Sequence, residues 1–240
     1  MRAATIVSAY FAEPYLEGRL ENLLSQTERP RVVVVCQQNS PEQAIAARML
    51  DAKHDSLLMT DKLVTIYHAW NIAIRAARTE FVTNANSDDR LAVDGIARLV
   101  DYLDKVPEAA LAYPDVDIVQ SLEGGFVNAK RTGSFRFAEG GFHELMQLCF
   151  VGPMPMWRSS LHAKYGWFDA TMQSAGDYEF WLRIAKAGEK LMHVREVLGI
   201  YLDRPDSAEH RKPQIGAQET IEARRRYAEK RQTVYAKIGG

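Results

Sequence analysis

Apolar residues in the first half of the chain alternate between short continuous runs and stripes at helical spacing. The continuous runs are rich in valine and other β-branched residues, as expected for strands buried on both faces, and lie at residues 4–8, 31–36 and 57–59. The stripes predict helices between these strands, at residues 15–25, 41–52 and 67–78. Alternating strands and helices predict an α/β fold with a largely parallel sheet and helices on both of its faces.

The stretch from residue 80 to residue 90 carries the densest polar chemistry of this half. A short strand predicted at 81–83 leads into the cluster Asn86-Ser87-Asp88-Asp89, and a helix is predicted at 93–105. Open α/β sheets bind ligands at the carboxyl ends of their strands, and carboxylate oxygens suit a Mg²⁺ or Mn²⁺ ion that also contacts substrate phosphates. The cluster therefore indicates a metal–diphosphate site. Taken alone, it is equally consistent with ordinary turn and helix-capping chemistry.

The pattern changes after a predicted strand at 110–113. Residues 115–142 mix glycines with phenylalanines and lack a βαβ pattern, which predicts a meander or a mobile lobe. A helix follows at 177–187, ended by Gly188, and two strands are predicted at 190–194 and 197–201.

The C-terminal region is predicted to be a basic helix at about 218–237. From residue 211 to the end, eight basic residues stand against three acidic ones. A basic amphipathic helix can lie on a membrane surface or hold a partner. Its sparse apolar stripe favours the more ordinary alternative, in which the helix packs on its own domain.

Composition restricts the class of protein. The chain has 240 residues, a net charge of −1 and 47% hydrophobic residues, so it can bury a sizeable core and has no overall charge that would recruit nucleic acid. Two cysteines, Cys36 and Cys149, predict neither a disulfide framework nor a zinc site, and they favour a reducing compartment. The start of the chain lacks a signal-peptide layout, and no apolar stretch approaches the roughly 20 residues that span a bilayer. We expect a cytoplasmic protein.

Five motifs resemble those of glycosyltransferase family 2 in their order and spacing, from about residue 4 to residue 204. They lie at residues 5–10, 69–74, 86–89, 156–169 and 174–183. The resemblance implies a GT-A fold, in which a Rossmann-like, mostly parallel sheet is flanked by helices and joined by a smaller acceptor-side lobe and a C-terminal helix. It further implies a nucleotide-sugar donor, a Mn²⁺ or Mg²⁺ ion and inversion at the anomeric carbon.

Matching the family position by position assigns the acidic residues. Asn86-Ser87-Asp88 occupies the place of the family's Asp-x-Asp motif, so Asp88 matches the metal-binding carboxylate and Asp89 the acid that follows it. Asn86 replaces the first Asp of the motif, which removes a charge and keeps an oxygen acceptor. Asp177 matches the general base of the family's Glu-Asp motif, with Gly176 in place of the Glu.

The same matching assigns residues to the nucleotide site. Ala9, Tyr10 and Glu13 lie on the segment after the first strand, where the family binds the nucleotide, together with Asn86 and Asp88 of the motif. Gln38 stands where the family has an acid that reads the base. An amide can donate as well as accept, so the base of the donor stays open. Asn71 either supports the nucleotide side or hydrogen-bonds within the fold.

A third metal ligand in this family is often a histidine near the end of the catalytic domain. His210, in a polar loop, is the better candidate, and His193 lies within a predicted strand. Arg204 sits near the place where the family often has that histidine, and an arginine there could contact a phosphate.

The resemblance implies a metal-dependent inverting glycosyltransferase that builds polysaccharide or glycoconjugate on a saccharide or glycolipid acceptor. We expect a catalytic domain at 1–210, with a nucleotide-sugar half at 1–113, an acceptor half at 114–210 and a basic tail at 211–240. The tail could contact the inner face of the membrane or mediate self-association, and nucleic acid is not an expected partner. The departures at Asn86 and Gln38 leave an alternative: a non-catalytic module that binds sugar nucleotides or glycans.

Overall fold

A computed structural model describes residues 1–205 and 213–228, and within them strands and helices alternate as the hydrophobic pattern predicts. The strands are β1 Ala3–Ala9, β2 Arg31–Gln37, β3 Ser56–Thr60, β4 Phe81–Asn84, β5 Arg90–Leu91, β6 Ala109–Val119, β7 Arg131–Phe135, β8 Met156–Arg158 and β9 Lys190–Leu202. The helices are α1 Glu13–Leu24, α2 Pro41–Met49, α3 Ile66–Ala77, α4 Gly95–Lys105, α5 Gly125–Asn128, α6 Phe142–Leu145, α7 Leu161–Tyr165, α8 Gly176–Lys186 and α9 Pro213–Tyr227.

The nine strands of the described residues form one sheet in the order β3-β2-β1-β4-β8-β6-β9-β5, with β7 paired to β6. Strands β3, β2, β1 and β4 are parallel to one another. The short β8 pairs antiparallel with both β4 and β6, and β6 runs parallel to β9. The carboxyl ends of β1, β2 and β4 therefore meet at one edge of the sheet. The predicted α/β class, with a mostly parallel sheet, is confirmed.

Side chains of the central strands alternate between two apolar cores, as the pleat of a β-strand requires. In β1, Ile6 packs in the core that contains α3 and α8, whereas Val7 packs in the core that contains α1 and α4. In β2, Val33 and Val34 divide in the same way. Burial on both faces explains the unbroken valine run and places helices on both sides of the sheet.

An aromatic cluster supports α8. Trp157 of β8 meets Trp181 of α8 edge to face at 5.3 Å and donates a hydrogen bond from Nε1 to Nε2 of His162 at 2.9 Å. Burial lowers the pKa of His162 to about 4, so the ring is neutral near pH 7 and can accept this bond. Phe168 and Phe180 pack against the same ring. The motif tryptophans and phenylalanines thus pack together and hold α8 against the sheet.

Several predicted boundaries were wrong. Strand β6 continues through Pro114, because the proline lies where the β6–β9 ladder changes register and a missing N–H is tolerated. The two strands predicted at 190–194 and 197–201 are one strand, β9, with that same irregularity. Strand β5 separates the polar cluster from α4, so the cluster joins two strands instead of a strand and a helix. The meander predicted after 115 consists of the end of β6, α5 and β7.

Helix α9 begins at Pro213, five residues earlier than predicted, and its described part packs on the domain. Arg224 donates from Nε to the Tyr178 hydroxyl at 2.9 Å, and Arg226 pairs with Asp169 at 2.8 Å. Among the residues that the structure describes, no helix combines the length and apolar character needed to cross a bilayer.

Candidate active site

Connecting segments leave three neighbouring strands at the carboxyl edge of the sheet. The chain continues from β1 into 10–12, from β2 into 38–40 and from β4 into 85–89. Two clefts open along this edge, one of ≈ 440 Å³ and one of ≈ 600 Å³. This is the edge at which open α/β sheets bind ligands.

The smaller cleft brings together three residues of the predicted nucleotide site. Tyr10, Glu13 and Gln38 line it. The Tyr10 hydroxyl shares a hydrogen bond of 2.8 Å with Oγ1 of Thr60, which fixes the ring at the cleft wall. Ala9 is fully buried as the last residue of β1, so its methyl group packs in the core below the cleft.

Asn71 is not part of this group. Its Nδ2 donates to the Phe168 carbonyl at 2.9 Å, and its Oδ1 accepts from the Phe168 N–H at 3.1 Å. Both ends of the buried amide are thus used to hold the chain at Phe168, which is the second of the two roles considered for it.

Asp89 is buried beneath the polar cluster. Its Oδ1 accepts from the N–H of Leu202 at 3.2 Å, and its Oδ2 accepts from Nδ2 of Asn86 at 3.1 Å. Burial, reinforced by the nearby charge of Asp88, raises the pKa of Asp89 to about 7. Asp89 therefore ties the cluster to the end of β9, and both of its oxygens are occupied by protein donors.

Asp88 is held by an arginine. Nε and Nη2 of Arg204 lie 3.0 and 2.9 Å from Oδ2 of Asp88, and the guanidinium stacks over the Tyr15 ring at 4.8 Å. Arg204 is the residue that the sequence analysis placed near the family's histidine, and in the structure it pairs with Asp88.

The described residues do not fit a divalent ion in this arrangement. Of the predicted ligands, Asp88 is paired with Arg204, Asp89 is buried with both oxygens bonded, and His210 lies outside the described residues. Within 1–205 and 213–228, no three His, Cys, Asp or Glu side chains are grouped so that they could hold a metal. His193 pairs with Asp115 at 2.8 Å, nine residues and roughly 30 Å along β9 from Leu202. We route no step through a metal.

Asp177 lies on the larger cleft with a fixed orientation. It is the second residue of α8, and its Oδ1 accepts from the Tyr67 hydroxyl at 2.9 Å and from the N–H of Tyr178 at 2.8 Å. Burial raises the pKa of Asp177 above its ordinary value, and the Tyr67 hydrogen bond opposes that rise. Asn86 lines the same cleft. Residues from two of the family motifs, far apart in sequence, therefore share one cavity.

The structure explains why Gly176 stands where the family has a glutamate before the general base. A Cβ atom at this position would lie 2.6 Å from Cδ2 of Tyr67, well inside contact distance. The family's Glu at this position is incompatible with Tyr67 in its present place. Gly176 and Tyr67 thus form a matched pair that lets the tyrosine reach Asp177.

Glu219 of α9 is a site residue that the sequence did not indicate. Its carboxylate accepts three backbone hydrogen bonds, from Gln173 at 2.8 Å and from Ser174 and Ala175 at 2.8 and 2.9 Å. These are the residues immediately before α8. The C-terminal helix therefore holds the segment that delivers Asp177, and only the folded chain brings the two together.

Removing the Tyr67 hydroxyl is expected to shift the pH dependence of any reaction in which Asp177 acts as a base. Because that hydroxyl stabilises the ionised carboxylate, Tyr67→Phe should raise the pKa of Asp177 further. A base must be deprotonated, so the acid limb of the kcat profile should move to higher pH. Tyr102→Phe, on α4, is the matched control. An unmoved acid limb in Tyr67→Phe would contradict the assignment.

Two solved structures have folds similar to that of this chain. TarS residues 1–349 of S. aureus, in complex with UDP-GlcNAc, matches with a TM-score of 0.70 and 17% identity, over 95% of this chain and 74% of that one. The mannosyltransferase PcManGT from Pyrobaculum calidifontis, in complex with GDP-Man and Mn²⁺, matches with a TM-score of 0.68 and 20% identity, over 92% of this chain and 62% of that one. The chain spans 43% of the longer TarS structure. A comparison with curated proteins finds no match.

The sheet order and the similarity to these two structures show that the chain has the GT-A fold. The sequence model described as Glycosyl transferase family 2 matches residues 5–160, more than half of the chain. The chain belongs to that family, which confirms the resemblance seen in its motifs.

Proposed function

We propose that the protein transfers a sugar from a nucleotide-diphosphate donor to an acceptor hydroxyl with inversion at the anomeric carbon. One observation carries the proposal: Asp177 and Asn86 line one cleft of ≈ 600 Å³ at the carboxyl edge of the sheet. A cleft of this volume is of the size that binds small substrates. The neighbouring structures that contain UDP-GlcNAc and GDP-Man support a nucleotide sugar as the donor.

Asp177 is the general base in this proposal. The acceptor oxygen attacks the anomeric carbon, the bond between that carbon and the phosphate oxygen breaks, and the nucleoside diphosphate leaves with the electron pair. The acceptor proton passes to the Asp177 carboxylate. Attack opposite the leaving group inverts the anomeric centre. Two donors on Oδ1 hold the carboxylate in place, and its raised pKa makes it a stronger base than an exposed aspartate.

The nucleotide base occupies the smaller cleft in this proposal. Tyr10 offers a ring for stacking, and Gln38 offers an amide that can both donate and accept. Glu13 can accept from a base or ribose hydroxyl at the start of α1. A neutral amide at Gln38 does not select one base by charge, so binding of a panel of nucleotides has to identify the base.

The acceptor lies on the aromatic wall of the larger cleft. Phe135 and Phe137 stack at 5.8 Å, and Tyr201 meets Phe135 edge to face at the same distance. All three line the cleft that contains Asp177. Flat apolar faces of sugar rings pack well on such surfaces, which supports a saccharide or glycolipid hydroxyl as acceptor and a role in polysaccharide or glycoconjugate assembly.

The donor class can be tested by calorimetric titration of the protein with UDP-, GDP-, dTDP- and CMP-sugars. We expect saturable binding of at least one of the three diphosphate donors. The CMP-sugar, which lacks a diphosphate, should bind far more weakly. Equal binding of the CMP-sugar would contradict diphosphate recognition, and no binding of any donor would contradict the proposed function.

A further inference from the structure

Phe11, in the segment between β1 and α1, lines the smaller cleft and remains exposed to solvent. The residue is 79% exposed, although the next residue, Ala12, is buried. Leu63, in the segment between β3 and α3, lines the same cleft and is 51% exposed. Two apolar side chains from separate segments therefore present surface that a ligand in this cleft would remove from water.

The backbone holds Phe11 in an unfavourable conformation. Its φ is +56°, in the left-handed region that a bulky residue rarely adopts. Hydrogen bonds fix the residues on both sides: the Tyr10 hydroxyl bonds Oγ1 of Thr60 at 2.8 Å. The N–H of Ala12 donates to Oε1 of the buried Glu42, also at 2.8 Å. Strain of this kind is concentrated at ligand sites, and the exposed ring gains little packing within the protein, so the conformation indicates a ligand contact.

The charge of the smaller cleft favours a neutral ligand group. Among the described residues that line it, the charged side chains are Glu13 and Glu42, and none is a lysine or an arginine. Two carboxylates repel a diphosphate. A nucleobase is neutral and flat, and aromatic side chains bind its faces by stacking. The lining therefore suits the base of a nucleotide better than its phosphates.

We propose that Phe11 binds the donor nucleotide by covering one face of its base in the smaller cleft. The proposal rests on the proposed function, which places the base in this cleft. The Phe11 ring is then buried only in the complex, and the anchored segment holds it ready for the base before the donor arrives. Phe11 contributes to donor affinity and takes no part in the transfer of the sugar.

The test is calorimetric titration of the whole chain with UDP, GDP and dTDP, together with thermal denaturation of each variant. Phe11→Asn removes the ring and supplies a residue that tolerates the left-handed conformation, whereas Phe11→Tyr keeps the ring. Arg78→Asn is the matched control. Arg78 has a φ of +49° at the end of α3, is exposed and lies outside both clefts, so the same substitution relieves the same kind of strain away from the site.

We expect Phe11→Asn to bind the preferred nucleotide about tenfold more weakly than the unmodified protein, the loss that follows from removing one base–aromatic stack. The same variant should denature at the same temperature or higher, because asparagine adopts the left-handed conformation more readily than phenylalanine does. Phe11→Tyr should bind within about twofold of the unmodified protein, since the ring is kept. Arg78→Asn should also denature at the same temperature or higher, with no change in affinity.

The possible failures separate this inference from the proposed function. If Phe11→Asn binds the nucleotide as tightly as the unmodified protein, Phe11 does not contact the base, and this inference is wrong while the proposed function stands. The same holds if Phe11→Asn loses affinity only together with a denaturation temperature several degrees lower, since Phe11 then supports the fold. If the unmodified protein binds none of the three nucleotides, the proposed function itself is wrong.

Discussion

Replacing Asp177 with asparagine is expected to leave donor binding unchanged and to reduce transfer by about 10²–10⁴-fold, the range that general base catalysis contributes. The amide cannot take the acceptor proton at neutral pH. It is close in size to the carboxylate, and its oxygen can still accept from the Tyr67 hydroxyl and the N–H of Tyr178. The fold and the donor site should therefore persist while the chemical step slows.

The measurement pairs donor titration with the rate of nucleoside diphosphate release. Asp169→Asn is the matched control, because Asp169 pairs with Arg226 and bonds Thr171 outside the two clefts. If Asp177→Asn releases nucleoside diphosphate at a rate within about threefold of that of the unmodified protein, Asp177 is not the general base. Equal losses in both variants would show that the effect is structural.

Replacing Glu219 with glutamine is expected to reduce kcat by about 10²-fold with little change in donor affinity. A carboxylate accepts all three N–H groups of residues 173–175, whereas the –NH₂ group of an amide would face a donor and displace the segment. Misplacement of a catalytic group by about 1 Å can cost this much. Glu219 acts through Asp177 and is a positioning residue.

A pH profile separates positioning from simple loss of stability. The groups that act on Asp177 are Tyr67, the N–H of Tyr178 and Glu219, and Asp177 in turn acts on the Cys149 thiol. The charge of Glu219 raises the pKa of Asp177, so Glu219→Gln should move the acid limb of kcat to lower pH.

Glu222→Gln is the control for this comparison, since Glu222 lies on the same helix and pairs with Arg226 on the exposed side. It should leave both kcat and the acid limb unchanged. If the acid limb stays in place in Glu219→Gln, or if Glu222→Gln shows the same loss, the positioning role is wrong.

The parts of the fold predicted from the sequence are those set by local pattern. The valine run predicted strand β2 correctly, and the leucine stripe predicted helix α1 correctly. Burial on two faces requires a continuous apolar run, and burial on one stripe requires apolar residues at helical spacing. The length of β6 was not predicted correctly, because whether a strand continues through Pro114 depends on its pairing with Val194 of β9, 80 residues away in the sequence. Strand β5 has only two residues, Arg90 and Leu91, and no sequence period.

The site divides in the same way. The sequence placed Tyr10, Gln38 and Asp177 at strand ends or a helix start, and the structure brings each of them to the clefts at the carboxyl edge. It could not show that a buried Asp89 uses both oxygens within the protein, because burial is a property of the folded chain. Nor could it show the role of Glu219, which lies 42 residues from Asp177 on a helix predicted only to pack on its own domain.

The most direct test of the central claim is release of nucleoside diphosphate from UDP-, GDP- and dTDP-sugars, with the unmodified protein and Asp177→Asn measured side by side. The account predicts release of nucleoside diphosphate from one donor class, and an added saccharide acceptor should accelerate this release. Asp177→Asn should reduce the rate to about 1% of that of the unmodified protein or less. Donor binding without any release, in the presence of a panel of saccharide acceptors, would contradict the account and identify a sugar-nucleotide-binding module.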